Sequence, residues 1–257
     1  MATGRTVSKF ARVYVDGYDM SGYSRSAPVL NWGFRPAAWM ALDDPAMGAL
    51  PGQASISMGS YNGILDNTAT SGMHAVLSNS DAVRDVMIPL GIRAEPAAGD
   101  PTFCAQVTQS AYQAQPSGGM VTVSIDLGNW DERGDTKAYP FPWGYLLHAK
   151  GLVAAANTSS GAYDYGSSGS TNGGYMMYQV FARSNTGTAT ITVEHSTGGA
   201  WSVCTGLTYS VTDSSAAASG IVTTSSATSS INRYTRWQTS LGTSTGVTFA
   251  LALVRGR

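Results

Sequence analysis

The stretch "VDGYDMSGYS", Val15 to Ser24, decides how the chain begins. Alternating residues in "ARVYV" lead into it, and the Asp16-Gly17 pair interrupts them. An Asp-Gly pair between alternating segments signals a hairpin, because a two-residue turn needs positive φ and glycine adopts it without steric cost. The same acids could instead ligate a metal. A calcium loop would need more oxygen donors in a D-x-[DN]-x-[DN]-G spacing, and that spacing is absent. Asp16 and Gly17 therefore read as a turn, and Asp19 as a cap or a solvent-facing acid.

Period-two patterns continue outward from this stretch. "GQASISMGSYNG" alternates around Ala54, Ile56 and Met58, "FCAQVTQSAYQAQ" around Phe103, Ala105 and Val107, and "GMVTVSIDLG" around Val121, Val123 and Ile125. These predict half-buried antiparallel strands. One helix is predicted in "TSGMHAVL", with Met73, Val76 and Leu77 on one face and Thr70 or Ser71 as its cap. "SDAVRDVMIP" reads either as a second helical turn or as the lead into a strand. After Asn157 come six more strand-like segments: "YMMYQVFARS", "GTATITVEHST", "WSVCTGLTYSVT", "SGIVTTS", "RYTRWQTSLG" and "GVTFALALVRG". "STGGAW" is a predicted hairpin turn between two of them. The fold class is mainly β: a barrel or sandwich domain with one short helix, followed by an immunoglobulin-like or jelly-roll-like β-sandwich. "GNWDERGDTKAYPFPWG" concentrates charge, proline and glycine, and places the boundary between units 1–137 and 138–257.

Only 12% of the 257 residues are charged, about half the usual share. Ser, Thr and Gly take their place, as suits a protein that spends its life packed against others. Net charge is −1, so no basic field points to nucleic acid as a tight ligand. The first 137 residues hold 9 basic and 13 acidic side chains, a net of −4, and the rest hold 6 and 3, a net of +3. Cys104 and Cys204 lack any C-x-x-C spacing and read as free buried thiols. The N-terminus has no apolar signal core, and no stretch reaches membrane-span length, so folding in the cytoplasm of the producing cell is expected, with no membrane partner.

Reactive patterns are sparse. His74, His148 and His195 show no H-E-x-x-H or paired spacing, and read as packing or solvent-facing residues. There is no G-x-S-x-G elbow and no phosphate-binding glycine loop in a strand–helix context. Asp131, Glu132 and Asp135 cluster in the connector, where a solvated linker is the plainer reading than a glycosidase pair. The aromatics of "YDYG" and "GGYMMY", Tyr163, Tyr165 and Tyr175, are candidates for an exposed binding surface on the second unit. No catalytic group, metal or cofactor is expected.

Three motifs in order carry a resemblance. "VYVDGYDMSGYS" supplies Asp16, Gly17, Asp19, Met20 and Ser21. "LPGQASISMGSYNGILDN" supplies a Pro51-Gly52 turn and then Gly59, Tyr61 and Asn62. "GMHAVLSN" supplies Val76 and Leu77. Over residues 10 to 135 the chain resembles the tail tube proteins of long-tailed bacteriophages, with "NWGFRPAAWMALDDPAMGAL" where that family has a Thr-rich excursion. The second half resembles the β-sandwich decorations appended to phage structural proteins. The resemblance implies a virion tail protein made in the host cytoplasm. It implies hexameric rings, joined sheet edge to sheet edge and stacked into a tube with an acidic lumen for DNA passage. Tape measure, terminator and tip proteins would be its partners. A long loop, Asn31 to Leu50, would reach the next ring, with Trp32, Phe34, Trp39, Met40 and Leu50 as contacts. Prolines 28, 36, 45 and 51 argue against a regular central strand there.

Other classes fit the same residues. A capsid decoration or tail completion protein would form closed rings or trimers. A carbohydrate-binding β-sandwich module would use the aromatics around Tyr163 to Tyr178. An enzyme would have to rely on Asp131, Glu132 or Asp135.

Overall fold

The structure, a computed structural model, describes residues 8–39, 48–92, 94–130, 141–154, 161–166, 168–184, 187–211 and 217–256, with the side chains of residues 8, 34–39, 48–55 and 129–130 left aside. It is mainly β with one short helix, as the alternating patterns predict.

The opening hairpin forms as expected. β1 (Tyr14–Val15) pairs with β2 (Tyr18–Asp19), and Asp16 (φ 52°) and Gly17 (φ 81°) make the turn between them. Two positive φ values in a row mark the turn type that matches strand twist. After β3 (Ser24–Ser26), β4 (Leu30–Trp39) and β5 (Gly48–Met58) pair along most of their length. The expected loop from Asn31 to Leu50 is therefore corrected to a two-stranded ribbon, with 40–47 outside the described residues. The Pro51-Gly52 "turn" is likewise corrected to strand. The prolines are accommodated by a register shift between Phe34 and Pro36, which leaves Pro36 facing Pro51. Neither has an N–H to donate, so a ribbon tolerates the pair where a sheet interior would not.

β6 (Tyr61–Ile64) precedes α1 (Met73–Leu77), whose N-cap is Gly72 and carries no side-chain hydrogen bond. Thr70 or Ser71 as the cap is thus corrected. The His74 N–H is satisfied instead by the Asp66 carbonyl at 3.0 Å. "SDAVRDVMIP" resolves as a strand, β7 (Val83–Pro89). β8 (Pro101–Ser117) and β9 (Met120–Trp130) form a long hairpin through Gly118 and Gly119.

The second half holds β10 (Trp143–Val153), β11 (Tyr163–Asp164), β12 (Gly174–Ser184), β13 (Ala189–Ser196), β14 (Ser202–Val211), β15 (Ala218–Thr223), β16 (Tyr234–Ser240) and β17 (Gly246–Arg255). A 13-stranded sheet runs β15-β12-β17-β10-β8-β7-β1-β2, with β9, β6, β3, β5 and β4 attached through the distal half of β8. A four-stranded sheet, β11-β16-β13-β14, covers one face of its β15-β12-β17-β10 end. β8 meets β10 at Trp143–Tyr145, so a single sheet carries both halves of the chain.

Three cores fill this arrangement. One lies between the two sheets and includes Met176, Tyr178, Val193, Cys204, Trp237, Phe249 and Leu251. Another lies in the first half around Met20, Tyr61, Met73, Phe103 and Ile125. The third sits between the halves: Tyr14, Met87 and Cys104 pack on Leu146, Tyr175, Met177, Ala250, Ala252 and Val254. Alternate residues of β12 and β17 therefore face different cores, and both faces of these strands are covered. Their near-continuous apolar runs, "YMMYQV" and "FALALV", have this cause.

Candidate functional site

The Asp16-Gly17 turn does more than reverse the chain. Asp16 accepts from Arg84 Nη1 at 2.9 Å and from the Asp85 N–H at 2.8 Å. Arg84 is almost buried, and its other donors reach Gln109 Oε1 (2.9 Å) and the Asn79 carbonyl (3.0 Å). Gln179 of β12 accepts from the Gly17 N–H at 2.6 Å and donates to the Asp85 carbonyl at 3.0 Å. Ser219 and Gln106 donate to the two Asp85 carboxylate oxygens at 2.8 and 3.0 Å. Lys150 of β10 donates to Asp19 at 2.7 Å. Asp19 and the Gly17 N–H of the opening stretch thus tie the first half to the second, while Asp16 holds the turn to β7, roles that turn chemistry alone does not reveal.

These contacts set the acidities. Burial pushes the Asp85 carboxyl above its ordinary range, against the hydrogen bonds from Ser219 and Gln106. Burial acts the same way on Asp19, but hydrogen bonds from Lys150 and Ser21 outweigh it and hold that carboxyl low. Burial raises both thiols, Cys104 and Cys204, the latter to about 12, so neither supplies a thiolate near neutral pH. Both cysteines are buried and free, as expected. His148 packs between Trp237 (4.5 Å) and Phe249 (4.4 Å), and desolvation lowers its pKa to about 4. His74 Nδ1 is hydrogen-bonded to Tyr112 Oη at 2.8 Å. Among the described residues no group of three or more His, Cys, Asp or Glu could hold a metal ion, and no helix is long and apolar enough to cross a membrane. Asp131, Glu132 and Asp135 lie outside the described residues.

The most exposed architecture is unpaired strand edge. β7 accompanies β8 only as far as Thr108. From Ser110 to Ser117, β8 pairs with β9 on one side and with no described strand on the other. That edge reads "SAYQAQPS" and carries no charge. Natural sheets usually blunt a bare edge with lysine, inward charge or a short strand. Here the devices among the described residues are Pro116 near the tip and a break in register between Gln109 and Ala111 at the base. The β4–β5 ribbon is similar. Among the described residues its one ladder bridge to the rest is Ser57 to Asn129, with Ile56 and Met58 buried in the core at its base, and its strands run on about 25 Å at the rise of a β-strand.

The expected contact residues divide accordingly. Trp32 lies at the base of the ribbon and packs edge-to-face on Phe141 at 5.6 Å, within the chain. Phe34, Trp39 and Leu50 have their backbones in the ribbon; their side chains, and Met40 altogether, lie outside the described residues. Tyr175 as an exposed binding residue is corrected. It is 1% exposed, and its hydroxyl donates to the Phe141 carbonyl at 2.6 Å, because β12 is covered on both faces. Tyr163 and Tyr165 are half-buried and meet Tyr145 at 4.8 and 5.3 Å. Tyr145 comes from β10, a strand in which no alternation is legible.

No family model matches this chain, and no curated protein matches it. Among solved structures it is similar to the Dit protein (gp 19.1) of phage SPP1, described as a paradigm of the hub adsorption apparatus in phages that infect Gram-positive bacteria. Identity is 12% over 95% of this chain and 99% of that one, with a TM-score of 0.31. A chain of the phage p2 baseplate, in its activated conformation with Sr, matches at 9% identity over 96% of this chain and 98% of that one, with a TM-score of 0.29. These neighbours are phage baseplate and hub proteins. Scores of this size lie below those of chains that share a superposable fold, so function is read from the chain's own residues.

Proposed function

We propose that this chain is a structural, non-catalytic protein of a phage tail that self-associates through its bare strand edges into hexameric rings, stacked as a tube for DNA passage. The observation that carries this reading is the uncharged edge Ser110–Ser117 of β8, unpartnered among the described residues. An edge left so open invites pairing with another chain, and closing a ring of sheets removes it. The β4–β5 ribbon, long enough to leave its own subunit, would provide the contact between rings. The motifs around Asp16 and Tyr61 support the family, and the low charge suits a buried life. The net −4 of the first 137 residues agrees in sign with an acidic lumen.

Electron microscopy of the purified protein across a concentration series tests this. Rings or tubes with a central hole are expected. The double variant Ala114→Lys/Gln115→Lys, which charges the bare edge, should leave a folded monomer that no longer assembles. Assembly unchanged in that variant would remove the edge from the interface, and a monomer at every concentration would count against self-assembly altogether.

A further inference from the structure

β12 begins, β17 ends and β10 begins at the same end of the sandwich, and a cavity of about 480 Å³ opens there. Trp143 and Tyr145 of β10, Tyr165, the segment 168–172 and Arg255 line it. This is the size range of small-ligand sites. The segment is held in place by hydrogen bonds within the chain. Ser170 exchanges backbone hydrogen bonds with Ile231 at 2.8 Å in both directions. The Ser170 hydroxyl donates to the Gly256 carbonyl at 2.5 Å and accepts from the Asn172 N–H at 3.1 Å. Gly256 permits this closure, since a Cβ there would stand 2.1 Å from the Asn172 carbonyl.

The lining has a distinct chemistry. Trp143 and Tyr145 are half-buried aromatics, Trp143 packed edge-to-face on Phe103 and Tyr145 on Tyr163 and Tyr165, each presenting part of its ring to the cavity, and Thr171 and Asn172 are exposed hydroxyl and amide groups at the rim. Arg255 lies over the Tyr165 ring at 4.2 Å and donates to the Ser168 carbonyl at 3.3 Å. Among the described residues it is the sole charged one in the lining. Asp164, next to Tyr165 in sequence, is held in two hydrogen bonds from Arg233, at 2.7 and 2.8 Å. Aromatic faces accept the C–H face of a pyranose ring, hydroxyl and amide groups pair with its hydroxyls, and a guanidinium selects an anionic substituent. We propose that this cavity binds an acidic saccharide, its ring against Trp143 and Tyr145 and its carboxylate or sulfate toward Arg255. The site is independent of the assembly edges, so a chain that fails this test could still form rings.

Titration calorimetry with the full chain tests it, using oligogalacturonate as the acidic probe and a cello-oligosaccharide of equal length as the neutral one. The acidic probe should bind at least tenfold more tightly, and less tightly as salt rises. Arg255→Gln should weaken the acidic probe about tenfold and leave the neutral one unchanged, and Asn172→Ala, at an exposed position, should weaken both. Circular dichroism melts check that each variant is folded. Absence of binding, equal affinity for the two probes, or affinities untouched in both folded variants would overturn the assignment.

Discussion

The Gly17 N–H donates to Gln179 Oε1 at 2.6 Å, across 162 positions of sequence. The turn that opens the first half is thereby seated on β12 of the second. A Cβ at Gly17 would lie 2.6 Å from the Ala218 nitrogen and 2.7 Å from the Val180 carbonyl, and its φ is +81°. Gly17→Ala therefore meets both backbone strain and a clash with backbone that cannot swing away. A loss of about 3 kcal/mol or more is expected from urea denaturation. Wild-type stability in this variant would mean that the turn does not pack on β12.

The central core predicts how the halves unfold. Met177 is fully buried among residues of both halves, and β12 and β17 each serve two cores. Met177→Ala should cost about 2–5 kcal/mol. Circular dichroism and tryptophan fluorescence should report one transition, shifted together by the substitution. Two separate transitions, with only one displaced, would show that the halves are stabilised independently.

Asp85 makes an acid-side prediction. Its folded pKa is raised, chiefly by burial, so between the ordinary carboxylate value near 4 and that raised value the folded state binds more protons than the unfolded. Stability contributed by this group falls as pH rises through that window. Asp85→Asn keeps an acceptor for Gln106, and its amide can donate to the Ser219 hydroxyl. The variant should gain on wild type from pH 4 upward and match it below. Parallel stability curves for the two proteins would contradict the sign.

His148 acts in the opposite direction. Its pKa is lowered to about 4, so between that value and the ordinary value near 6.5 the unfolded state takes up the proton first. Stability contributed by this group is complete above pH 6.5 and is lost as pH falls toward 4. His148→Leu should flatten that stretch of a melting-temperature profile, and an unchanged slope there would place the acid sensitivity elsewhere.

Much of this fold is legible in short-range pattern. Asp16-Gly17 announces its turn because positive φ is a property of two residues. Ile191 and Val193, two apart in "TITVEHS", announce a strand because both face the sandwich core. Val123 and Ile125 do the same for the core of the first half. β10 is not legible. Leu146 faces the central core and Leu147 the sandwich core, so burial on both sides erases the alternation that marks a strand. The ribbon escapes a sequence reading because prolines argue against a sheet interior and say less about a two-stranded arm whose register shifts around them. Tyr175 resembles a surface aromatic in sequence, since "GGYMMY" carries no sign of a second layer.

The sequence by itself determined the β class, the hairpins, the short helix and the scarcity of charge, because these follow from local dihedral preference and composition. Only the tertiary structure decided that Asp16, Arg84, Asp85 and Gln179 would meet, that one edge of β8 would lack a described partner from Ser110 on, and that Trp143, Tyr145 and Arg255 would share a cavity. Those are contacts between distant segments, and they depend on sheet order and on which faces are covered, which neighbouring residues in the chain do not encode.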